Sequence, residues 1–240
     1  RIKSHVHPEN LKEENEYILL PNFRLPTHIH SRSANSKWLA EIAHRNPIWI
    51  HTKDAKKLKI TNGDLLKIET EIGWFVDKVW VTEAIKPGVV ACSHHIGRWR
   101  RPQDLGNRFM TNTVNIVNLG NGKYKMETVK GVRPWKTKDL DTNRIWWRDG
   151  GVHQNITHAV NPDPISGAHC WLQKVKISQP GLNEKYGDIF VDTNKSFEHF
   201  KKWNQFAKDN EKHPDGLRRP LWMGRPLMPK ISRFFLDPEK

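Results

Sequence analysis

Alternation with period two dominates the first two thirds of the chain, and stripes of helical period are few. YILLPNF (17–23) is a short apolar run ended by Pro21, which predicts an entering strand. PIWIHT (47–52) reads as another strand, and DAKKLKI (54–60) as a short helical turn started by Asp54. NGD (62–64) predicts a turn, since Asn and Gly tolerate positive φ. LLKIETEIGWFVDKVWVT (65–82) alternates on both sides of Glu71–Gly73, the pattern of a hairpin. KPG (86–88) predicts a turn and VVACSHH (89–95) the strand after it. Several short strands closed by tight turns, with little helix, predict a small β-barrel.

Helical spacing is confined to two places. In SKWLAEIAHR, Trp38, Leu39, Ile42 and Ala43 share one face, with Ser33 or Asn35 placed to cap the helix. In SFEHFKKWNQFAKD (196–209), Phe197, Phe200, Trp203, Phe206 and Ala207 lie on one side and Lys201, Lys202 and Lys208 largely on the other. Residues 100–150 are loop-rich, with strands expected at 112–120 and around Tyr124. WLQKVKIS (171–178) predicts a returning strand, and 179–194 an irregular connection. The Pro-rich end from His213 predicts an extended tail. The expected division is an arm over 1–16, a barrel over 17–178 and an extension over 179–240, with no internal repeat.

Composition narrows the classes. No run approaches the roughly 20 apolar residues of a membrane span, and no leader pattern opens the chain. It begins on Arg1 rather than Met, so a processed product or a piece of a longer polypeptide is expected. Cys92 and Cys170 are too few for a disulfide framework, and neither lies in a CxxC pair that would hold zinc or an iron–sulfur cluster. The 11 tryptophans in a chain only 36% apolar predict broad aromatic contact surfaces beside a modest core. A net charge of +14 points to an anionic partner, nucleic acid or a phosphate-bearing cofactor, against the plainer reading of a soluble basic surface. No RNA- or DNA-binding signature accompanies the charge.

Five segments then stand in a recognisable order: H-S-R-S-A-N (30–35) before a helix, P-I-W-I-H-T-K-D-A (47–55), I-T-N-G-D (60–64), P-G-V-V (87–90) and V-H-Q-N-I-T…D-P-I-S-G (152–167). The set resembles the C-terminal domain of the molybdopterin oxidoreductases, the dimethyl sulfoxide reductase family, over roughly residues 17–178. The resemblance implies a mainly β fold: a six-stranded double-psi β-barrel of the aspartate-decarboxylase-like kind, with short helices and here a long C-terminal extension. It also implies one of two pterin guanine dinucleotides chelating molybdenum or tungsten. The family's metal ligand and iron–sulfur cysteines lie in upstream domains, so neither catalytic residues nor metal ligands are expected on this chain. An iron–sulfur cluster is expected only in other domains or a partner.

Thirteen residues follow as cofactor-binding candidates. His30, Ser31, Arg32, Ser33 and Asn35 form a loop entering a helix, where N–H groups and the dipole favour an anion and Arg32 can pair a phosphate. The same Ser and Asn could serve only to cap that helix. His51 and Asp54 stand, in the family, beside the guanine end, where a carboxylate can accept from two guanine N–H groups. Asp54 is equally suited to cap the DAKKL turn. His94 and His95, adjacent on an expected strand, would point to opposite faces, which disfavours a joint metal site. One of them, with Gly97, is expected to face the pterin, and Arg98 a phosphate or a domain contact. The alternative is a structural turn with a surface His pair. Gln154 and Asn155 are suited to the pterin bicycle because an amide donates and accepts at once. Cys92 is expected to be a small buried hydrophobe.

The function these features imply is cofactor binding within an oxidoreductase that transfers oxygen atoms or electrons. The partners implied are an iron–sulfur electron-transfer subunit, together with the remaining catalytic domains or a separate catalytic subunit. The compartment is left open between cytoplasm and periplasm. Two other classes stand beside it: a separate non-catalytic cofactor-binding or assembly subunit, and a basic nucleic-acid-binding barrel.

Overall fold

The computed structural model describes residues 11, 13–21, 39, 42, 43, 45–95, 114–128, 138, 151–159, 169, 171–204, 207–209 and 218–220. The loop 30–35, Gly97, Arg98 and Cys170 lie outside the described residues, as does most of the segment 36–45 expected as a helix. Leu39 and Ile42 within that segment are helical, and the Ala43 N–H donates to the Leu39 carbonyl at 3.0 Å.

Alternation is what gives the sheet an inside. In β3 (Leu65–Glu69) and β8 (Gln173–Ser178) every second residue is buried. With β1 (Glu16–Leu20), β2 (Ile48–His51), β4 (Gly73–Thr82) and β5 (Val89–Ala91) they form a ring in the order β2-β5-β1-β8-β3-β4, closed by the pairing of β4 with β2. Two of the pairings, β1 with β5 and β2 with β4, are parallel, and the other four are antiparallel. The protein is mainly β, and its closed six-stranded barrel has the mixed pairing of a double-psi barrel. Within the ring each strand has a neighbour on both sides, and the interior is filled by side chains such as Leu19, Ile48, Ile50, Leu66, Ile68 and Phe75, all at most 1% exposed. Burying each such side chain stabilises the fold by about 1.5–3 kcal/mol.

The ten-residue β4 is longer than its partners, and this explains a departure from expectation. Its second half pairs with β2, so its first half is left with a free edge. A strand β9 (Ile189–Asp192) fills that edge, where an irregular connection was expected. The hairpin of β6 (Val114–Gly120) and β7 (Lys123–Thr128) adds beyond it. Contact between β4 and β9 is close: a Cβ on Gly73 would lie 2.1 Å from the Phe190 carbonyl oxygen.

Three boundaries are corrected. Helix α1 spans Thr52–Leu58, so it starts before Asp54, and its N-cap is His51, whose Nδ1 accepts from the Lys53 N–H at 3.0 Å. Helix α2 spans Thr193–Asn204, three residues earlier than the 196 expected. Asp192 Oδ1 accepts from the N–H groups of Asn194 and Lys195, each at 3.1 Å, which is the bonding of an N-cap. The expected helix also ran on to 209, but Ala207–Asp209 is a short strand β10 paired with β11 (Arg218–Pro220). Phe197 and Phe200 of α2 stack on one another and are 55% and 39% exposed. No helix among the described residues is long and apolar enough to cross a membrane.

Candidate functional site

β5 stops after three residues, short of the seven-residue strand read from 89–95. The Ser93 carbonyl is taken at 2.6 Å by the side-chain amide of Asn46, so no neighbouring strand uses it, and His94 and His95 form a turn. This overturns the argument from alternating strand faces: the two imidazoles lie together, with centroids 4.0 Å apart. His94 Nδ1 meets the Pro21 carbonyl at 3.1 Å, and its ring stacks on Trp171 at 5.7 Å. His95 is buried, and His169 meets Trp171 edge-on at 4.6 Å.

Against this turn lies the segment 151–159, held by side chains rather than by a sheet ladder. Asn46, fully buried, donates to the Val152 carbonyl and accepts from its N–H, both at 2.8 Å. Gln154 Nε2 donates to the Cys92 carbonyl at 2.5 Å. Residues Gln154–Thr157 then form a 3-10 turn, closed by the Thr157 hydroxyl on the Gln154 carbonyl at 2.7 Å. The Thr70 hydroxyl, at the end of the β3–β4 hairpin, meets the Thr157 carbonyl. The structure thus brings together four candidates read from sequence: His94, His95, Gln154 and Asn155.

Three polar side chains of this segment are buried without a hydrogen-bond partner among the described residues, through Gln154 Oε1, Asn155 Oδ1 and both ring nitrogens of His158. Native interiors leave few such groups, because each costs about 1–3 kcal/mol. Burial, with His169, His94 and His153 nearby, lowers the His158 pKa to about 3, so the ring is neutral at ordinary pH.

Asp54 and His51 are placed elsewhere. Asp54 Oδ2 accepts from the Gly88 N–H at 2.8 Å, ahead of β5, whereas the histidine turn follows that strand. Gly88 has φ +78, which a side chain would strain. Asp54 is half-buried and is not the helix cap. Six positions separate Gly88 from His94, so at the strand rise of about 3.3 Å per residue they stand at most about 20 Å apart.

Cys92 is buried, as its small apolar character predicts. Its thiol lies 3.1 Å from the Asn46 carbonyl and 3.8 Å from Asp77 Oδ2; burial first, and then that carboxylate, push its pKa well up. This thiol is protonated and inert. Among the described residues no group of three or more His, Cys, Asp or Glu side chains is disposed to hold a metal.

Sequence reasoning missed Asn46, Thr70 and His158. Asn46 stands between the expected helix and the expected strand, Thr70 beside the expected hairpin turn, and His158 lies within the recognised segment 152–167 without having been given a role.

Residues 18–121 match the family described as the molydopterin dinucleotide binding domain. This segment is a molybdopterin dinucleotide binding domain. The alpha chain of the F420-dependent formate dehydrogenase of Methanocaldococcus jannaschii is 31% identical over 121 residues, 50% of this chain and 18% of that protein. The trimethylamine-N-oxide reductase of Haemophilus influenzae is 33% identical over 100 residues, 40% of this chain and 12% of its own length. A selenate reductase polypeptide of Mesobacillus selenatarsenatis is 34% identical over 107 residues, 38% and 10% of the two chains. The chain therefore spans less than a fifth of each of these curated relatives. All three are oxidoreductases by name, and the molybdopterin dinucleotide binding domain is part of such enzymes.

Proposed function

We propose that this chain binds one pterin guanine dinucleotide of a molybdenum or tungsten bis-pterin cofactor. It does so as the C-terminal part of an oxidoreductase that transfers oxygen atoms or electrons. The observation that carries the reading is the pair of buried, unpartnered amide oxygens on Gln154 and Asn155, facing no protein donor among the described residues. A polar heterocycle with N–H groups fits that donor deficit, and a net charge of +14 suits a ligand carrying a diphosphate.

In this reading the two ends of β5 serve two ends of one extended ligand. His94, His95, Gln154 and Asn155 hold the pterin, with Gly97 beside them and Arg98 on a phosphate. The loop of His30, Ser31, Arg32, Ser33 and Asn35 adds hydroxyl, amide and guanidinium contacts. Asp54, beside His51, reads the guanine. When bound, the cofactor's metal supplies the redox chemistry, and the protein supplies binding and electronic tuning. Partners are an iron–sulfur subunit, together with the remaining catalytic domains or a separate catalytic subunit.

The test is analysis of the native complex for pterin, guanine nucleotide, molybdenum and tungsten. Replacing Arg32 and Asn35 together by Ala should lower bound pterin and metal while the barrel stays folded. A folded double variant that keeps its full metal content removes that loop from the site. Absence of pterin from the native complex refutes the whole reading.

A further inference from the structure

We infer that His158 is a ligand-contacting residue, and that with Gln154 and Asn155 it forms an edge specific for a 2-amino-4-oxopyrimidine ring. The inference rests on reading this site as a cofactor-binding surface, and it assigns which face of the heterocycle the chain recognises.

The geometry orients each group. A carbonyl only accepts, so the contact at the Cys92 oxygen fixes the Gln154 amide with Nε2 toward the barrel and Oε1 turned away from it. His158 is the residue that follows the 3-10 turn Gln154–Thr157, and its N–H donates to the Asn155 carbonyl at 3.2 Å, which sets the two residues side by side. His158 is nine-tenths buried, and neither ring nitrogen has a hydrogen-bond partner among the described residues.

The number and kind of these groups select the ligand. Two amide oxygens accept, and a neutral imidazole adds one acceptor and one donor. That is three acceptors and one donor. A ring N–H beside an exocyclic amine, next to a carbonyl, offers the complement. Pterin and guanine share this edge. A dioxo ring, with a carbonyl in place of the amine, turns an acceptor toward an acceptor. Trp171, 41% exposed and stacked with His94, provides a flat aromatic neighbour for a planar ring.

The protonation of His158 agrees with this. Burial and the neighbouring His169, His94 and His153 hold it neutral, so it retains its acceptor nitrogen.

The test uses the full chain, three probes and two variants. The probes are free pterin (2-amino-4-oxopteridine), lumazine (the 2,4-dioxo analogue) and guanosine monophosphate. Affinity is read by calorimetry, and the His158 ring by nitrogen chemical shifts. Pterin, guanosine monophosphate or both should bind better than lumazine and should shift the His158 resonances. Which of the two does so identifies the end of the ligand seated here. His158→Leu should weaken that probe about tenfold, the worth of one net hydrogen bond, and should abolish the preference over lumazine. It should leave the melting temperature of the unliganded chain unchanged or raised, because a buried group without a partner is removed. His158→Gln, which keeps an acceptor and a donor, should retain the preference.

An unmoved His158 resonance, or a Leu variant with undiminished preference, overturns the assignment. So does a Leu variant that lowers unliganded stability without touching affinity, the signature of a structural histidine. A wild-type chain that binds none of the probes overturns it as well. The wider reading is judged separately: a native complex that contains pterin dinucleotide while His158→Leu changes nothing retires His158 alone.

Discussion

The side-chain amide of Asn46 and the backbone of Val152 exchange two hydrogen bonds, both 2.8 Å long, across 106 positions of sequence. One side chain thereby imitates a strand neighbour. Because the same amide also holds the Ser93 carbonyl, it fixes the histidine turn and the 152–159 segment relative to each other. Asn46→Ala would strand buried donors and acceptors on both, and should cost about 2–4 kcal/mol. Urea denaturation measures the loss, and faster hydrogen exchange at the Val152 amide locates it. Unchanged exchange there would show that another contact holds the segment.

Asp54 ties α1 to the Gly88 turn by one charge-assisted bond. Asp54→Ala should lower stability by about 1–2 kcal/mol, and Asp54→Asn, which keeps an acceptor oxygen, should recover most of it. On the proposed guanine role, the Ala variant should also lose guanine nucleotide while binding a nucleotide-free pterin as before. Unchanged nucleotide content, measured after cofactor release, leaves Asp54 a structural tie only.

His158 makes stability pH-dependent. Its pKa falls from 6.5 in the unfolded chain to about 3 in the folded one. Between these values the unfolded state binds the additional proton, so stability rises with pH and levels off above about 6.5. On acidification the loss from this group runs from about pH 6.5 down to about 3, and reaches at most about 5 kcal/mol. Unfolding free energy followed against pH should show a shallower acid limb in His158→Gln than in the parent chain. Parallel limbs would mean that His158 titrates alike in both states.

Gly73 permits β4 and β9 to approach, since a Cβ there would sit 2.1 Å from the Phe190 oxygen. Gly73→Ala must push the strands apart, at a cost of about 2 kcal/mol or more. It should also disturb the stacking of Trp74 on Phe190, whose centroids are 6.0 Å apart. Near-ultraviolet circular dichroism reports that pair, and hydrogen exchange at Asp192, whose N–H is bonded to the Ile72 carbonyl, reports the pairing.

The alternation of Leu66 and Ile68, or of Val175 and Ile177, determined barrel strands from sequence alone, because a strand's two faces are written into adjacent positions. Turn residues such as Gly63 and Gly88 determined where strands end, through backbone angles that are equally local. The ordered motifs named His94, His95, Gln154 and Asn155 as candidates, and the structure sets the turn of the first two against the segment of the last two. What only the tertiary structure decided is non-local. β9 exists because β2 leaves half of β4 uncovered, a consequence of strand lengths set far apart in the chain. β5 ends early because side chains from positions 154 and 46 take the Cys92 and Ser93 carbonyls that would continue its ladder. The buried ring nitrogens of His158, from which its role is inferred, meet no partner among the described residues, and a hydrogen bond left unmade has no signature in the order of residues.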